Sequence, residues 1–363
     1  MTTPFETRVA QARAELAKSG AQALVVTHLP NVFYLCGFTG SNGALLVLPD
    51  SVHLFTDSRY TLQSRQEAEV TRVHIDRAPV AEQAGKLLRT QRGSKRLNVA
   101  LESAHISLQD SLSLKAAAGP KFEWKPSVGL IEAIREVKSP AELQVMRDAA
   151  KLGSEVMAEA ISLVKPGISE LDLAAEIDYR MRRKGASGPS FETLVASGPR
   201  TAIVHGIPTE KRLQKKELVL LDLGVILRHY CSDLTRTVFL GCAPAEVKRW
   251  YNAVAQAHQA ALEAVQAGVP AGRVDQAARR VLERSRLGQY FLHSTGHGLG
   301  IEIHETPRVG KRQKQLIRAG SVITIEPGVY IEGSGGIRIE DDVAVHANGV
   351  EVLTSVPREL LEI

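Results

Sequence analysis

The chain of 363 residues has only three cysteines, no long apolar run and no block of like charge, and each absence closes off a class of protein. Cys36, Cys231 and Cys242 form no CxxC pair and cannot all be joined, which argues against a disulfide-stapled domain and suits a reducing compartment. No apolar stretch approaches the roughly 20 residues a membrane helix needs. The opening MTTPFETRVAQARAEL also lacks the apolar centre of a secretion signal. A cytoplasmic protein with no membrane partner is expected. The net charge of +5 is dispersed in short clusters at Arg182-Arg183-Lys184, Arg279-Arg280 and Lys311-Arg312, which read as solvated faces and not as a nucleic-acid groove. GHGLG has neither the GxGxxG spacing nor the strand-then-helix setting of a dinucleotide loop, and HETPR is not the HExxH of a single-zinc protease.

What is present is enough apolar sequence for two cores: 44% hydrophobic against 23% charged residues, in a chain too long for one ordinary core. The first third alternates helical and strand patterns. FETRVAQARAELAKS (5–19) is an amphipathic helix ended by Gly20, ALVVT (23–27) a buried strand, and ALLVLP with VHLFT (44–49, 52–56) a hairpin pair. Residues 58–69 and 80–91 read as helices and RLNVALE (96–102) as another strand. Around 126–138 the texture changes, and Ser139-Pro140 with Glu142 marks a helix start. The division is set at 1–130 and 131–363. In the second part LVKPGISELDLAAEI (163–177) is echoed by AVQAGVPAGRVDQAARRV (264–281), each after a long helical segment (140–163 and 245–266). Repetition of helix, turn, helix and strands predicts a pseudo-symmetric α+β domain with helices backing a curved antiparallel sheet.

Carboxylates sit where strands are predicted. LVLLDLGVIL carries Asp222, SDLTRTVFL carries Asp233, SVITIEPGVYI carries Glu326 and GGIRIEDDVAV carries Glu340. A buried carboxylate costs several kcal/mol unless paired or bound to a cation, and four in one domain call for a common cause. A shared pair of divalent ions supplies one, with His297 between glycines as the nitrogen ligand. Oxygen donors with one imidazole suit manganese, cobalt, iron or zinc. Two such ions share a water, lower its pKa and polarise a carbonyl.

These motifs, in this order, resemble the metal ligands of the M24 "pita-bread" metallopeptidases, in particular the Xaa-Pro peptidases aminopeptidase P and prolidase. YLCGFTGSNG (34–43) and FTDSRYTLQ (55–63) are similar to that family's creatinase-type N-terminal α/β domain, and IREVKSPAEL to the opening of its catalytic domain. The resemblance implies that Asp222 chelates one ion, that Asp233 and Glu340 bridge the pair, and that His297 and Glu326 hold the second ion. It implies Glu326 as proton shuttle for the bridging water, His205 as a substrate contact and His304 as the donor to the tetrahedral intermediate. His293 would line the pocket, Arg308 would meet a substrate carboxylate or stand as an exposed loop residue, and Arg338 would back the bridging carboxylates. The implied cofactor is two divalent ions per subunit, manganese first, with cobalt or zinc as alternatives. The implied reaction is hydrolysis of the Xaa-Pro bond by a metal-bridged hydroxide, aminopeptidase P-like, with Xaa-Pro dipeptidase as the alternative. The partner is a peptide with proline second, and the implied assembly is a homodimer. Creatinase-type hydrolysis and a non-catalytic pita-bread binding protein are the rivals, and the complete ligand set speaks against both. Val204 stands where the family often has proline before the histidine.

The stretch HSTGHGLGIEIHE brings the argument together. An even step places His293 and His297 on one face if the chain stays extended, while the odd step to His304 requires a bend, which the glycines permit.

Overall fold

Residues 3–91 and 97–363 are described by a computed structural model of the chain, which divides into units Met1–Arg135 and Glu136–Ile363. The first unit runs α1 (Pro4–Lys18), β1 (Ala23–Val26), α2 (Leu29–Cys36), β2 (Ala44–Val47), β3 (Val52–Thr56), α3 (Thr61–Glu67), β4 (Arg72–Ile75), α4 (Val80–Thr90), β5 (Leu97–Glu102), α5 (Leu108–Ala118), β6 (Phe122–Ser127) and α6 (Leu130–Arg135). Arg96, the expected start of the fifth strand, lies outside the described residues. The strands form one mixed sheet in the order β4-β3-β2-β1-β5-β6. ALVV and ALLV are buried at every position, as unbroken apolar runs in central strands should be. The expected hairpin is the antiparallel β2–β3 pair. Its neighbouring motifs interlock: Asn42 donates to Asp57 at 2.6 Å, and the Phe38 ring fills the space beside Gly40 and Gly43 where side chains would clash. Helix α6 carries this unit five residues beyond the expected junction at 130/131. The buried Arg135 donates to Asn31 Oδ1 at 2.7 Å and ties the helix back to α2.

The second unit opens with α7 (Pro140–Leu163), whose start is a capping box: Glu142 N–H donates to Ser139 Oγ while Ser139 N–H donates to Glu142 Oε2. There follow α8 (Glu170–Arg183), β7 (Gly188–Pro189), β8 (Leu194–Ser197), β9 (Glu217–Leu223), β10 (Val225–Leu227), β11 (Tyr230–Cys231), β12 (Leu234–Leu240), α9 (Ala245–Ala264), α10 (Ala271–Arg284), β13 (Gly296–Gly298), β14 (Glu305–Val309), β15 (Val322–Ile325), β16 (Gly328–Ile331), β17 (Gly335–Arg338), β18 (Asp341–His346) and β19 (Gly349–Val352).

The sequence echo corresponds to a repeated hydrogen-bond pattern. Gly167 and Gly268 both have positive φ, at +93° and +83°, in the turn between paired helices. Gly167 N–H donates to Leu213 and Leu213 N–H returns to Ile168; Gly268 and Ile317 repeat the exchange through Val269. Every strand pair in this unit is antiparallel. These antiparallel strands group as β12-β9-β8, β14-β13-β15-β18-β19, β16-β17 and β11-β10-β7. The breaks fall at the candidate ligands. Asp233 lies between β11 and β12, Glu326 between β15 and β16, and Glu340 between β17 and β18. Only Asp222 lies inside a strand, so the expectation of four carboxylates within strands is corrected to one. Proline at 327 has no N–H to continue the ladder, and Glu326 N–H makes the last bond in register with the β13 segment, to Thr295 O at 2.7 Å.

Candidate metal centre

Asp222 occupies β9, whose other residues from Leu218 to Leu223 are apolar and buried, and faces Thr235 across the β9–β12 pair. The chain between them reverses at Arg228 and His229, which both have positive φ (+48° and +70°) in the two-residue link from β10 to β11. That tight hairpin brings Asp233 back beside Asp222. Asp233 N–H donates to Asp342 Oδ2 at 3.0 Å, and Thr235 Oγ1 donates to Glu340 Oε2 at 2.6 Å.

Asp233, His297 and Glu340 each offer a ligand atom within 4.8 Å of the others. Glu326 adjoins the group: its Oε1 is 3.6 Å from His297 Nε2, the same separation as His297 Nε2 to Asp233 Oδ2. Asp222 is outside the 4.8 Å group. Its Oδ2 pairs with Arg338 and its Oδ1 is buried with no hydrogen-bond partner.

The electrostatics describe negative charge short of a counterion. Burial first, then the mutual repulsion of Glu340, Asp222 and their neighbours, raises Asp233 well above the ordinary carboxylate range. Burial and then Glu326 and Asp222 do the same to Glu340. Burial pushes Glu326 up to about 8, with Arg338 opposing and Asp222 reinforcing the shift. His297 is lowered to about 4 by burial. Its Nδ1 lies 2.9 Å from the Gly298 carbonyl, which fixes the N–H there and leaves Nε2 a free lone pair facing the carboxylates. Neutral imidazole, buried acids and an orphaned Asp222 oxygen are a donor set that divalent metal would take up, and the residues fit it.

His297 is held because its glycine neighbours have no room for side chains. A Cβ on Gly296 would lie 1.9 Å from Thr324 O, and one on Gly298 would lie 2.1 Å from Thr306 O. His293 precedes β13, so the expected shared strand face does not exist. Its Nδ1 lies 2.8 Å from the Ser294 carbonyl and its Nε2 2.9 Å from Tyr330 Oη. Nδ1 is also 3.8 Å from Glu326 Oε2, which places the ring at the group by a different route. The chain bends between Gly300 and His304 as expected, and the His304 ring meets His297 edge-on at 4.4 Å. Burial and the nearby charge of His205 lower His304. His205 itself is exposed. Arg308 is exposed and donates through Nε to Ser294 Oγ at 2.8 Å.

Arg338 is 2% exposed and joins several of these parts. It pairs with Asp222, donates to Thr235 Oγ1 (3.0 Å) and Tyr330 Oη (2.8 Å), and reaches the Val204 carbonyl at 3.2 Å. The backbone before His205 is thus anchored by its carbonyl oxygen, which valine supplies as well as proline. Sequence reasoning missed Tyr330, Thr235 and the Asp275–Arg279 pair. Asp275 Oδ1 accepts from Thr295 N–H and Oγ1, and Arg279 donates to the His293 carbonyl. TIEPGVY already contained Tyr330, but no spacing rule marks its hydroxyl.

The model for metallopeptidase family M24 matches residues 144–347, and that for the creatinase/prolidase N-terminal domain matches residues 8–137. An Xaa-Pro dipeptidase of Pyrococcus horikoshii is 33% identical over 345 residues, covering 95% of each chain. A solved Xaa-Pro dipeptidase from Bacillus anthracis has a TM-score of 0.94 at 31% identity, covering 99% of this chain and all of that one. A solved X-Pro aminopeptidase from Thermotoga maritima has a TM-score of 0.88 at 31% identity, covering 96% and 100%. With a buried acid and imidazole cluster where that family's model matches, the chain belongs to metallopeptidase family M24.

Proposed function

We propose that the chain hydrolyses the peptide bond before proline, with two divalent ions held by Asp222, Asp233, His297, Glu326 and Glu340. The observation that carries this reading is the convergence of Asp233, His297 and Glu340 within 4.8 Å, from three separate segments of sequence. When bound, the ions supply a water of lowered pKa and a Lewis acid for the scissile carbonyl.

The chain's own residues do the remainder. Arg338 holds Asp222 by one oxygen and leaves the other for an ion. Glu326, beside His297, takes the proton of the attacking water on its carboxylate and returns it to the proline nitrogen as that bond breaks. His304, lowered and therefore neutral, donates its N–H to the carbonyl oxygen as charge builds there. His205 lies on the exposed side and contacts the peptide, and His293, fixed by Tyr330, lines the wall. A prolyl amide has no N–H, so selection rests on the shape of the ring and not on a hydrogen bond to that nitrogen.

The names of the Pyrococcus horikoshii and Bacillus anthracis relatives favour dipeptides as substrates, and exposed Arg308 offers a cation for their carboxylate. Aminopeptidase-like cleavage of longer peptides, expected from the sequence, has the Thermotoga maritima neighbour in its support. Incubation of metal-loaded protein with an Xaa-Pro dipeptide and an Xaa-Pro-Yaa tripeptide separates them. Cleavage of the dipeptide alone makes it a dipeptidase; tripeptide cleavage makes it an aminopeptidase; cleavage of neither overturns the proposal. Manganese as the metal, a homodimer and a cytoplasmic location belong to the same reading. Reconstitution with each ion tests the first, light scattering the second.

A further inference from the structure

Two of the basic clusters that look separate in the sequence meet in space. Arg280 on α10 and the Lys311-Arg312 turn line one groove of 610 Å³, together with Arg273 and Lys314. No carboxylate among the described residues pairs with any of these five cations, and Glu283 is the one unpaired acid in the lining. The groove's sixth cation, Arg279, is already taken up by Asp275 (2.7 Å) and by the Phe291 and His293 carbonyls. Arg279 and Asp275 form a neutral floor, and the five outer cations face solvent above it.

The rim is built. Gly272 N–H donates to Gln313 O at 3.0 Å and Ala271 N–H to Gln315 O at 2.9 Å, which pins the turn against the first residues of α10. A Cβ on Gly272 would stand 2.7 Å from Gln313 O, so the close approach requires glycine. Arg312 is held at φ +59°, a left-handed conformation that arginine rarely adopts. Five exposed like charges gathered at one concavity raise the local potential and concentrate anions there. The volume falls in the range of small-molecule sites. The lining contains no aromatic side chain, so it offers no stacking platform for nucleic-acid bases.

We propose that this groove binds a small polyanion carrying several phosphate or sulfate groups, held by Arg273, Arg280, Lys311, Arg312 and Lys314. Arginine presents paired N–H donors to such oxyanions, and lysine adds point charge.

Titration calorimetry on the full-length, metal-loaded protein tests it. Sucrose octasulfate, which does not strip divalent ions, is one probe; inorganic tripolyphosphate in excess magnesium is the other and separates phosphate from sulfate ligands. The expected result is saturable one-to-one binding of at least one probe. Affinity should fall at least about tenfold in Arg273→Ala/Arg280→Ala and again in Lys311→Ala/Arg312→Ala, because charge-assisted hydrogen bonds are lost. These pairs lie on opposite sides of the groove, so a folding failure in one leaves the other to decide. Arg183→Ala/Lys215→Ala removes the same charge elsewhere and should leave affinity unchanged. Absence of saturable binding by both probes overturns the proposal, as does an equal loss in the Arg183/Lys215 control. A single-stranded oligonucleotide that binds through the same residues more tightly than both probes would overturn it in favour of a nucleic-acid surface.

Discussion

Removing the divalent ions should give a protein whose stability falls as pH rises from about 5 to about 8. Burial and neighbouring charge raise Glu326 from 4.5 to about 8. Between those values the folded chain keeps a proton that the unfolded chain has released. The unfolded state therefore binds fewer protons, the slope of unfolding free energy with pH is negative, and stability is lost across this window. At about 1.4 kcal/mol per pH unit, the Glu326 shift is worth on the order of 5 kcal/mol. Asp233 and Glu340 are raised in the same direction and steepen the loss. Cations that take the place of the protons should flatten it. Urea unfolding followed by circular dichroism, after chelation and dialysis across this pH range, reads the slope; adding manganese should abolish most of it. Glu326→Gln should make the metal-free slope shallower. A metal-free protein as stable at the alkaline end as at the acid end, or a slope indifferent to Glu326→Gln, would refute the claim that these carboxylates lack a counterion without metal.

Arg338→Met should lower stability by about 3–5 kcal/mol, because it leaves the Asp222 carboxylate buried without its partner. It should also weaken metal affinity about 10- to 100-fold. Thermal melting and metal titration check this, and unchanged values in both would remove the pair from the account. Gly296→Ala sets a methyl 1.9 Å from the Thr324 carbonyl, which belongs to a neighbouring strand and cannot rotate aside. A loss of about 1–3 kcal/mol in urea unfolding is expected, with weaker metal retention because His297 is the next residue. In the first unit, His53 and His74 lie 2.9 Å apart and burial lowers both below 6.5. Depressed histidines favour the neutral form when folded, so their contribution is present above pH 6.5 and is lost as pH falls below it. Trp124 and Trp250 are the two tryptophans, one in each unit, so Trp250→Phe leaves a fluorescence signal from the first unit alone. His53→Gln/His74→Gln should flatten its acid-side loss of stability, and an unaltered slope would count against the pair.

The candidate ligand motifs stand out in the sequence because burial makes charge conspicuous. Asp222 stands out in LVLLDL since nothing near it in the sequence can satisfy it, and the repeat around Gly167 and Gly268 shows because both turns need positive φ. Local rules could not tell that Asp233, Glu326 and Glu340 end strands rather than occupy them. The apolar runs on either side look continuous, and the break at each acid is set by where the backbone hydrogen bonds go. Glu340 N–H goes to Thr235 O on β12, a strand of another sheet 105 positions earlier. His293 illustrates the same limit. The even step to His297 suggests one strand face, yet the chain before Gly296 is held by Asp275 and Arg279 from α10.

Of the orienting shell the sequence offered only Arg338, expected behind the bridging carboxylates Asp233 and Glu340 and found paired with Asp222. The physics of that shell explains why the rest was not visible. Arg338 serves Asp222, Thr235, Tyr330 and the Val204 carbonyl with one planar guanidinium. Three of those four partners lie about 100 or more residues away, so their convergence leaves no periodic trace. The same guanidinium accounts for Val204. Its contact is with a main-chain oxygen, which every residue type provides, so the departure from proline leaves the anchor before His205 in place.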